Sequence, residues 1–325
     1  MTITKIRLNF AKKEMEHTGE IIALLSAVSC TATALYASEA SGRLGTMTVN
    51  VIRLLLASVF LAAVLWITTG SPYPVHTDWN TWLYLSLSAI VGYVFGDYCL
   101  YNSYLVIGPK TGQLFMTLAP PIAAIAGWIM LDEKMSWKSW FAMAVTISGI
   151  ALSILSRKED RKVRFSIPFK GVLLGIGAGL GQGVGLVLSK IGMNHYSAAI
   201  PSDAPAITGL MMPFASTMIR AIIGCIGFLL IMAVQKELGD MKKAAKDSKG
   251  LKYAALTTLF GPVIGVSLSL MAVRYTETGI ASTLMALTPV LIIIPYSIIY
   301  RQKITFKEVA GVLVSMTGVA MFFML

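Results

Sequence analysis

Charge is what this chain has least of: 13% of its 325 residues are Asp, Glu, Lys or Arg, about half the share usual in a soluble domain. So thin a polar covering does not keep a monomer in water. Acids are the scarcer sign, 16 against 27 Lys and Arg, for a net charge of +11. The charges fall in short blocks between long apolar runs. That pattern excludes disorder, a coiled coil and a nucleic-acid surface, and makes the basic excess a matter of membrane topology. Cysteine is nearly missing: Cys30, Cys99 and Cys225 are odd in number, lack paired spacing and lie inside apolar runs, so neither a disulfide framework nor a zinc site is indicated. Histidine is as sparse, and His17, His76 and His195 all fall outside those runs. With no second aspartate at the depth of Asp97, a serine–histidine dyad, a two-aspartate site and a histidine-rich metal site are unsupported. No glycine motif for nucleotide phosphates is present, so no cofactor, metal or built-in ATP drive is expected.

What is abundant is apolar length. Hydrophobic residues make up 56% of the chain and the mean hydropathy is +0.72. A bilayer core of about 30 Å takes roughly 20 residues of helix, and ten runs of that order occur: 20–40, 46–68, 82–106, 110–131, 136–156, 170–192, 208–234, 251–274, 277–299 and 304–325. Most connections are short, which makes consecutive helices antiparallel neighbours. The expected fold class is all-α and polytopic, with ten transmembrane helices. The first run is long enough to span, and the polar residues before it carry no cleavable signal.

The chain also repeats itself. Residues 82–156 laid over 251–325 at a fixed offset of 169 need no gap and give 15 identities in 75 pairs. Gly92 meets Gly261, Gly96 meets Gly265, Pro120 meets Pro289, Lys134 meets Lys303 and Gly149 meets Gly318. Upstream, Arg53 and Arg220 open similar apolar stretches. The expected units are 1–157 and 168–325, joined by a basic linker over 158–167, with residues 193–207 an insertion in the second half. Five helices per half is an odd number, so the second half enters the membrane in the opposite sense and the repeat is inverted.

On these residues the chain resembles the EamA-type exporters of the drug/metabolite transporter superfamily. The resemblance is carried by the arginine in the second helix of each half, the proline in each fourth helix and the helix end WIMLDEKMSW, where Glu133 takes the acidic position. The fifth-helix pattern AVTISGIAL, echoed by LVSMTGVAM, adds to it. The second half departs from the pattern with Gln302 and with its insertion. The resemblance implies secondary active export of a small metabolite, an amino acid or a related polar or amphipathic compound, by alternating access. It also implies a multi-pass protein of a cell membrane, a bacterial inner membrane by the family's habit, working as a monomer or weak homo-oligomer. An integral membrane enzyme and a passive channel are the alternatives.

Sorting Lys and Arg by connection puts 17 on the odd-numbered connections and 7 on the amino-terminal tail and even-numbered ones. The positive-inside rule then sets the odd connections in the cytoplasm and both termini outside; Lys5, Arg7, Lys12 and Lys13 of the tail count the other way.

Asp97 is the one acid well inside an apolar run, a candidate for holding a substrate amine or a proton, or else an interhelical hydrogen-bond anchor. Tyr93, Asp97 and Tyr101 share a helix face, with Asn102 adjacent. Gln113 and Thr117 lie one turn apart ahead of Pro120, whose repeat mate Pro289 follows Ser282 and Thr288; both prolines are expected to kink their helices beside a cavity. In the sixth helix Gly175, Gly179 and Gly183 run alongside Gly177, Gly181 and Gly185, a spacing for close helix packing, and Gln182 between them is a further cavity candidate. Arg53 and Arg220 are expected to snorkel to the interface as structural charges. Glu39 and Lys190 stand as interfacial charges, with pairing across the repeat axis as the alternative.

Overall fold

The computed structural model describes residues 17–155, 168–291, 295 and 306–324, and every regular element among them is helical. Helix α1 (Thr18–Leu44) passes to α2 (Thr46–Thr69) through the single residue Gly45. Gly45 has φ +79°, a left-handed conformation that a residue without Cβ adopts freely. Helix α3 begins as Trp79–Ala89, capped by the Asp78 carboxylate accepting from Thr81 N at 2.8 Å, widens to a π segment over Ile90–Asp97, and continues as Tyr98–Phe115. A 3-10 turn, Met116–Leu118, leads to α4 (Ala119–Leu131), followed by α5 (Trp137–Leu155). The second half comprises α6 (Phe169–Ala199), α7 (Ala206–Val234) and α8, which runs Ser248–Thr258, a π segment Leu259–Val266, then Ser267–Tyr275. Helix α9 is Thr278–Met285 and Thr288–Leu291, and α10 is Phe306–Phe322.

Six of these helices, α1, α2, α3, α6, α7 and α8, are long and apolar enough to cross a membrane, and shorter apolar helices cover Met116–Leu131 and Val309–Met321. Trp66, Trp79, Trp128 and Trp137 are exposed where α2 and α4 end and α3 and α5 begin. These four rings mark one end of the bundle as a lipid–water interface.

The glycines of α6 fix its neighbours. A Cβ on Gly181 would lie 2.6 Å from Gly96 Cα, and one on Gly185 2.8 Å from Gly92 Cα, so α6 runs backbone to backbone against the π segment of α3. A Cβ on Gly179 would meet Leu118 at 3.0 Å and one on Gly183 would meet Ile122 at 2.8 Å. One glycine row thus faces α3 and the other faces α4. Along α6 the α3 contacts descend in number while the α4 contacts ascend, so α3 and α4 are antiparallel. The reversal lies near Gly112, whose Cβ position is 2.6 Å from Ser103 Oγ, whereas nine residues of straight helix would separate them by about 13 Å.

The main packing contacts join opposite halves: α1 with α8 and α9, α6 with α3 and α4, α2 with α7, α4 with α9 and α5 with α10. Exchanging the halves maps this set onto itself. At the α5–α10 contact, Gly149 abuts Ser315 and Gly318 abuts Thr146, and each pair becomes the other under the 169-residue offset. The two helices cross antiparallel there. The π segments obey the same offset, Ile90 to Leu259 and Asp97 to Val266.

Residues 193–207 are not a free insertion. Helix α6 extends through Ala199, seven residues past its expected end at 192, because Met193 and Tyr196 are buried and Tyr196 Oη donates to Val75 O at 2.8 Å. The segment therefore braces the α2–α3 connection. The linker over 158–167 and Gln302 lie outside the described residues.

Candidate functional site

A cavity of about 210 Å³ lies between the halves. Helices α1, α2 and α3 supply Ser26, Cys30, Arg53, Tyr93, Asp97 and Tyr101; α6, α7 and α9 supply Gln182, Arg220, Ser282 and Thr288. The π segment explains how α3 presents its acid. One extra residue in the turn rotates the helix and loosens its carbonyls, and Gln182 Nε2 donates both to the Gly92 carbonyl at 3.2 Å and to Asp97 Oδ1 at 2.7 Å. Across the cavity, the matching segment of α8 has its carbonyls taken by α1: Ser26 Oγ donates to Gly265 O at 2.8 Å and Ser29 Oγ to Phe260 O at 2.7 Å.

Asp97 and Arg53 form a buried ion pair through Oδ2 and Nη2, with side chains 7% and 6% exposed. Arg53 Nη1 donates to Tyr101 Oη at 3.0 Å, and its guanidinium lies 5.3 Å from the Tyr101 ring centre. Both carboxylate oxygens of Asp97 are therefore engaged by protein. The expectation that the two arginines snorkel to an interface is corrected: both line the cavity, at 5% and 4% exposure. Their helices pack on each other, which turns both side chains to the cavity and away from the lipid interface.

Arg220 is compensated differently. Its guanidinium lies 4.5 Å from the Tyr93 ring centre, and among the described residues no carboxylate pairs with it and no hydrogen bond from it forms. Its Nε is buried without a partner, as is the Tyr93 hydroxyl. A cation–π contact contributes about 2 kcal/mol when desolvated, while removing a charge from water costs several kcal/mol. Tyr93 alone does not balance Arg220.

Of the other sequence candidates, Tyr93, Tyr101, Gln182, Ser282 and Thr288 share the cavity wall with Asp97. Asn102 turns away and donates to the Tyr98 carbonyl at 2.8 Å. Thr117 is buried in the 3-10 turn while its neighbours Met116 and Ala119 line the cavity. The side chains of Gln113 and Pro289 lie outside the described residues. Pro120 is in the first turn of α4, directly after the interruption at Met116–Leu118, and α9 is interrupted at 286–287, the corresponding place. Sequence reasoning missed Ser26, Cys30 and Thr33, although 26, 30, 33 and 37 form a helical stripe of small and polar residues along α1. It also ranked two arginines inside apolar runs below an aspartate in the same setting.

One end of the cavity is tied shut. Lys190 Nζ lies 2.6 Å from Glu133 Oε1 and donates to Thr276 O at 2.7 Å. Glu133 Oε2 accepts from Thr278 N at 2.8 Å and from the Thr278 hydroxyl, and Thr276 Oγ1 donates to Glu20 Oε1 at 2.9 Å. Each of these residues lies on the far side of the cavity lining along its own helix: Glu20 before Ser26, Lys190 after Gln182, Thr278 before Ser282. Lys190 thus pairs with Glu133, not with Glu39. In the same connection, burial and then the nearby Glu133 push the Glu277 carboxyl above its ordinary range.

The sequence model of the EamA-like transporter family matches this chain twice, over residues 17–155 and 169–324. No curated protein matches it. Among solved structures, one crystal structure of a protein superimposes with a TM-score of 0.68 at 14% sequence identity, covering 94% of this chain and 96% of its own. At that identity the likeness is one of fold.

Proposed function

We propose, from the premise that this chain belongs to the EamA-like transporter family, that it is a secondary active carrier moving a small polar or amphipathic metabolite out of the cell by alternating access. In this reading ten helices cross a bacterial inner membrane as two inverted units, 1–157 and 168–325, with the linker 158–167 and the other odd-numbered connections in the cytoplasm. The antiparallel, self-exchanging contact of α5 with α10 supports the inversion. The observation that carries the function is a cavity lined by charged, polar and apolar residues of both repeats and shut at one end by a network that joins α1, α6 and α9 to the connections after α4 and α8. Rocking one repeat against the other about such a site opens it to each side in turn. The Lys190–Glu133 tie holds the connection after α4 to α6 and must part for the closed end to open.

Substrate binding falls to Tyr93, Asp97, Tyr101, Gln182, Ser282 and Thr288, with Asn102, Gln113 and Thr117 nearby, and Pro120 and Pro289 set the breaks in the fourth and ninth helices. Coupling to protons runs through Asp97 in this reading. Because Arg53 and Gln182 already bond the two carboxylate oxygens, a proton or a substrate amine competes with them for Asp97. The test is transport in proteoliposomes against a panel of amino acids, aromatic metabolites, purine derivatives and cationic drugs, with and without a pH gradient. Uphill movement of at least one compound is expected, and Asp97→Asn should retain exchange while losing accumulation. Passage of none of them, or unsaturable passage of all, overturns the carrier.

A further inference from the structure

We propose that Arg220 is an anion-docking residue, and that the compound carried is a small amphipathic acid whose carboxylate sits on the Arg220 guanidinium beside the Tyr93 ring. That the acid is cargo rests on the carrier reading; that Arg220 binds it rests on the geometry of the cavity. Arg53 and Arg220 are repeat-related and both line one cavity. Arg53 has Asp97. At the position corresponding to Asp97 the second half has Val266, which also lines the cavity, and Tyr101 is replaced there by Leu270. The fold has thus built the same arginine twice and supplied its counter-charge once.

The charges facing the cavity are Arg53, Asp97 and Arg220, a net charge of one positive. Arg220 is 4% exposed, its Nε is buried without a partner, and among the described residues its terminal nitrogens make no hydrogen bond, while the side chain lines the cavity. One of them is 3.1 Å from the position a Cβ on Gly92 would take, so the guanidinium is held where α3 has no side chain to push it aside. The terminal N–H groups of a guanidinium lining the cavity match the two oxygens of a carboxylate. The apolar part of the ligand has Leu186, Met285 and Ala286 to lie against.

Cys30 on the cavity wall reports the charge around it without any transport. In the full chain with Cys99→Ala and Cys225→Ala, Cys30 is labelled by sulfonatoethyl methanethiosulfonate, an anion, and by the trimethylammonium-ethyl reagent, a cation, with rates normalised to free cysteine. The anion is expected to be favoured about tenfold, from one unit charge about 10 Å away at an effective dielectric near 20 after screening. Arg220→Gln should bring the ratio to about one and Arg220→Lys should keep it. Benzoate should slow the labelling where benzamide does not, and only with Arg220 present. A wild-type ratio at or below one, or a ratio unchanged in Arg220→Gln, overturns the inference. If Arg220→Gln does not fold, the wild-type ratio and the benzoate–benzamide contrast decide. If Cys30 reacts with neither reagent, thermal melting of the wild-type chain decides: a higher midpoint with benzoate than with benzamide supports the inference, and equal shifts overturn it. A chain that carries nothing in vesicles but keeps the ratio fails the carrier reading alone. A working carrier whose ratio ignores Arg220 fails this inference alone.

Discussion

The two halves share a backbone down to the place of its irregularities and differ in what they hang on it. Both have a π segment at the same offset, an interruption ahead of the fourth-helix proline, and an arginine in the second helix. On the first half's π segment and the turn after it stand Tyr93, Asp97 and Tyr101; at the same positions in the second stand Pro262, Val266 and Leu270. A duplicated scaffold with one polar and one apolar copy yields a cavity that is symmetric in shape and lopsided in charge. Alternating access needs only the shape to be repeated, while recognition of one compound needs the charge not to be.

The largest effect should come from making the first half resemble the second. Asp97→Val leaves Arg53 buried without its carboxylate and should cost about 3–5 kcal/mol, read as a large drop in the melting temperature of the purified protein; an unchanged melt would mean that Arg53 finds water or another partner. The reverse experiment, Val266→Asp, gives Arg220 the counter-charge that Arg53 has. It should remove the anionic preference at Cys30, a change of about tenfold, with folding intact. Gly181→Ala presses a methyl onto Gly96 Cα at 2.6 Å and Val91 O at 2.8 Å, both backbone. It should destabilise by about 1–3 kcal/mol, and more than Gly261→Ala, whose nearest neighbour is Thr33 Cγ2 at 3.1 Å. The smallest effect is expected from Pro120→Ala: a proline in the first helical turn lacks only an N–H that would be unpaired there, so stability should change by less than about 1 kcal/mol while transport slows. Wild-type rates would show that the break at Met116–Leu118 is set elsewhere.

How much of this was legible can be followed through particular residues. The duplication and the all-helical class were, because a 169-residue offset without gaps and apolar runs of bilayer length are one-dimensional signals. The glycines of α6 were legible as packing residues, though not that one row serves α3 and the other α4. Asp97 was legible as exceptional, but its partner was not: Arg53 is 44 positions away, and an arginine near the start of an apolar run reads as an interfacial cation until the neighbouring helices are known to bury it. Lys190 reads as an interfacial charge for the same reason, and the alternative partner, Glu39, is not the carboxylate it meets. The π segments left no periodic signal, since one extra residue in a turn does not disturb an apolar run.

The sequence by itself determined that this chain lies in a membrane, is helical, and is made twice from one plan, because hydropathy and self-similarity are sums and matches along the chain. Only the tertiary structure decided which charges neutralise each other. That depends on distance and burial between helices, and there a repeated arginine becomes in one copy half of an ion pair and in the other a cation facing the cavity.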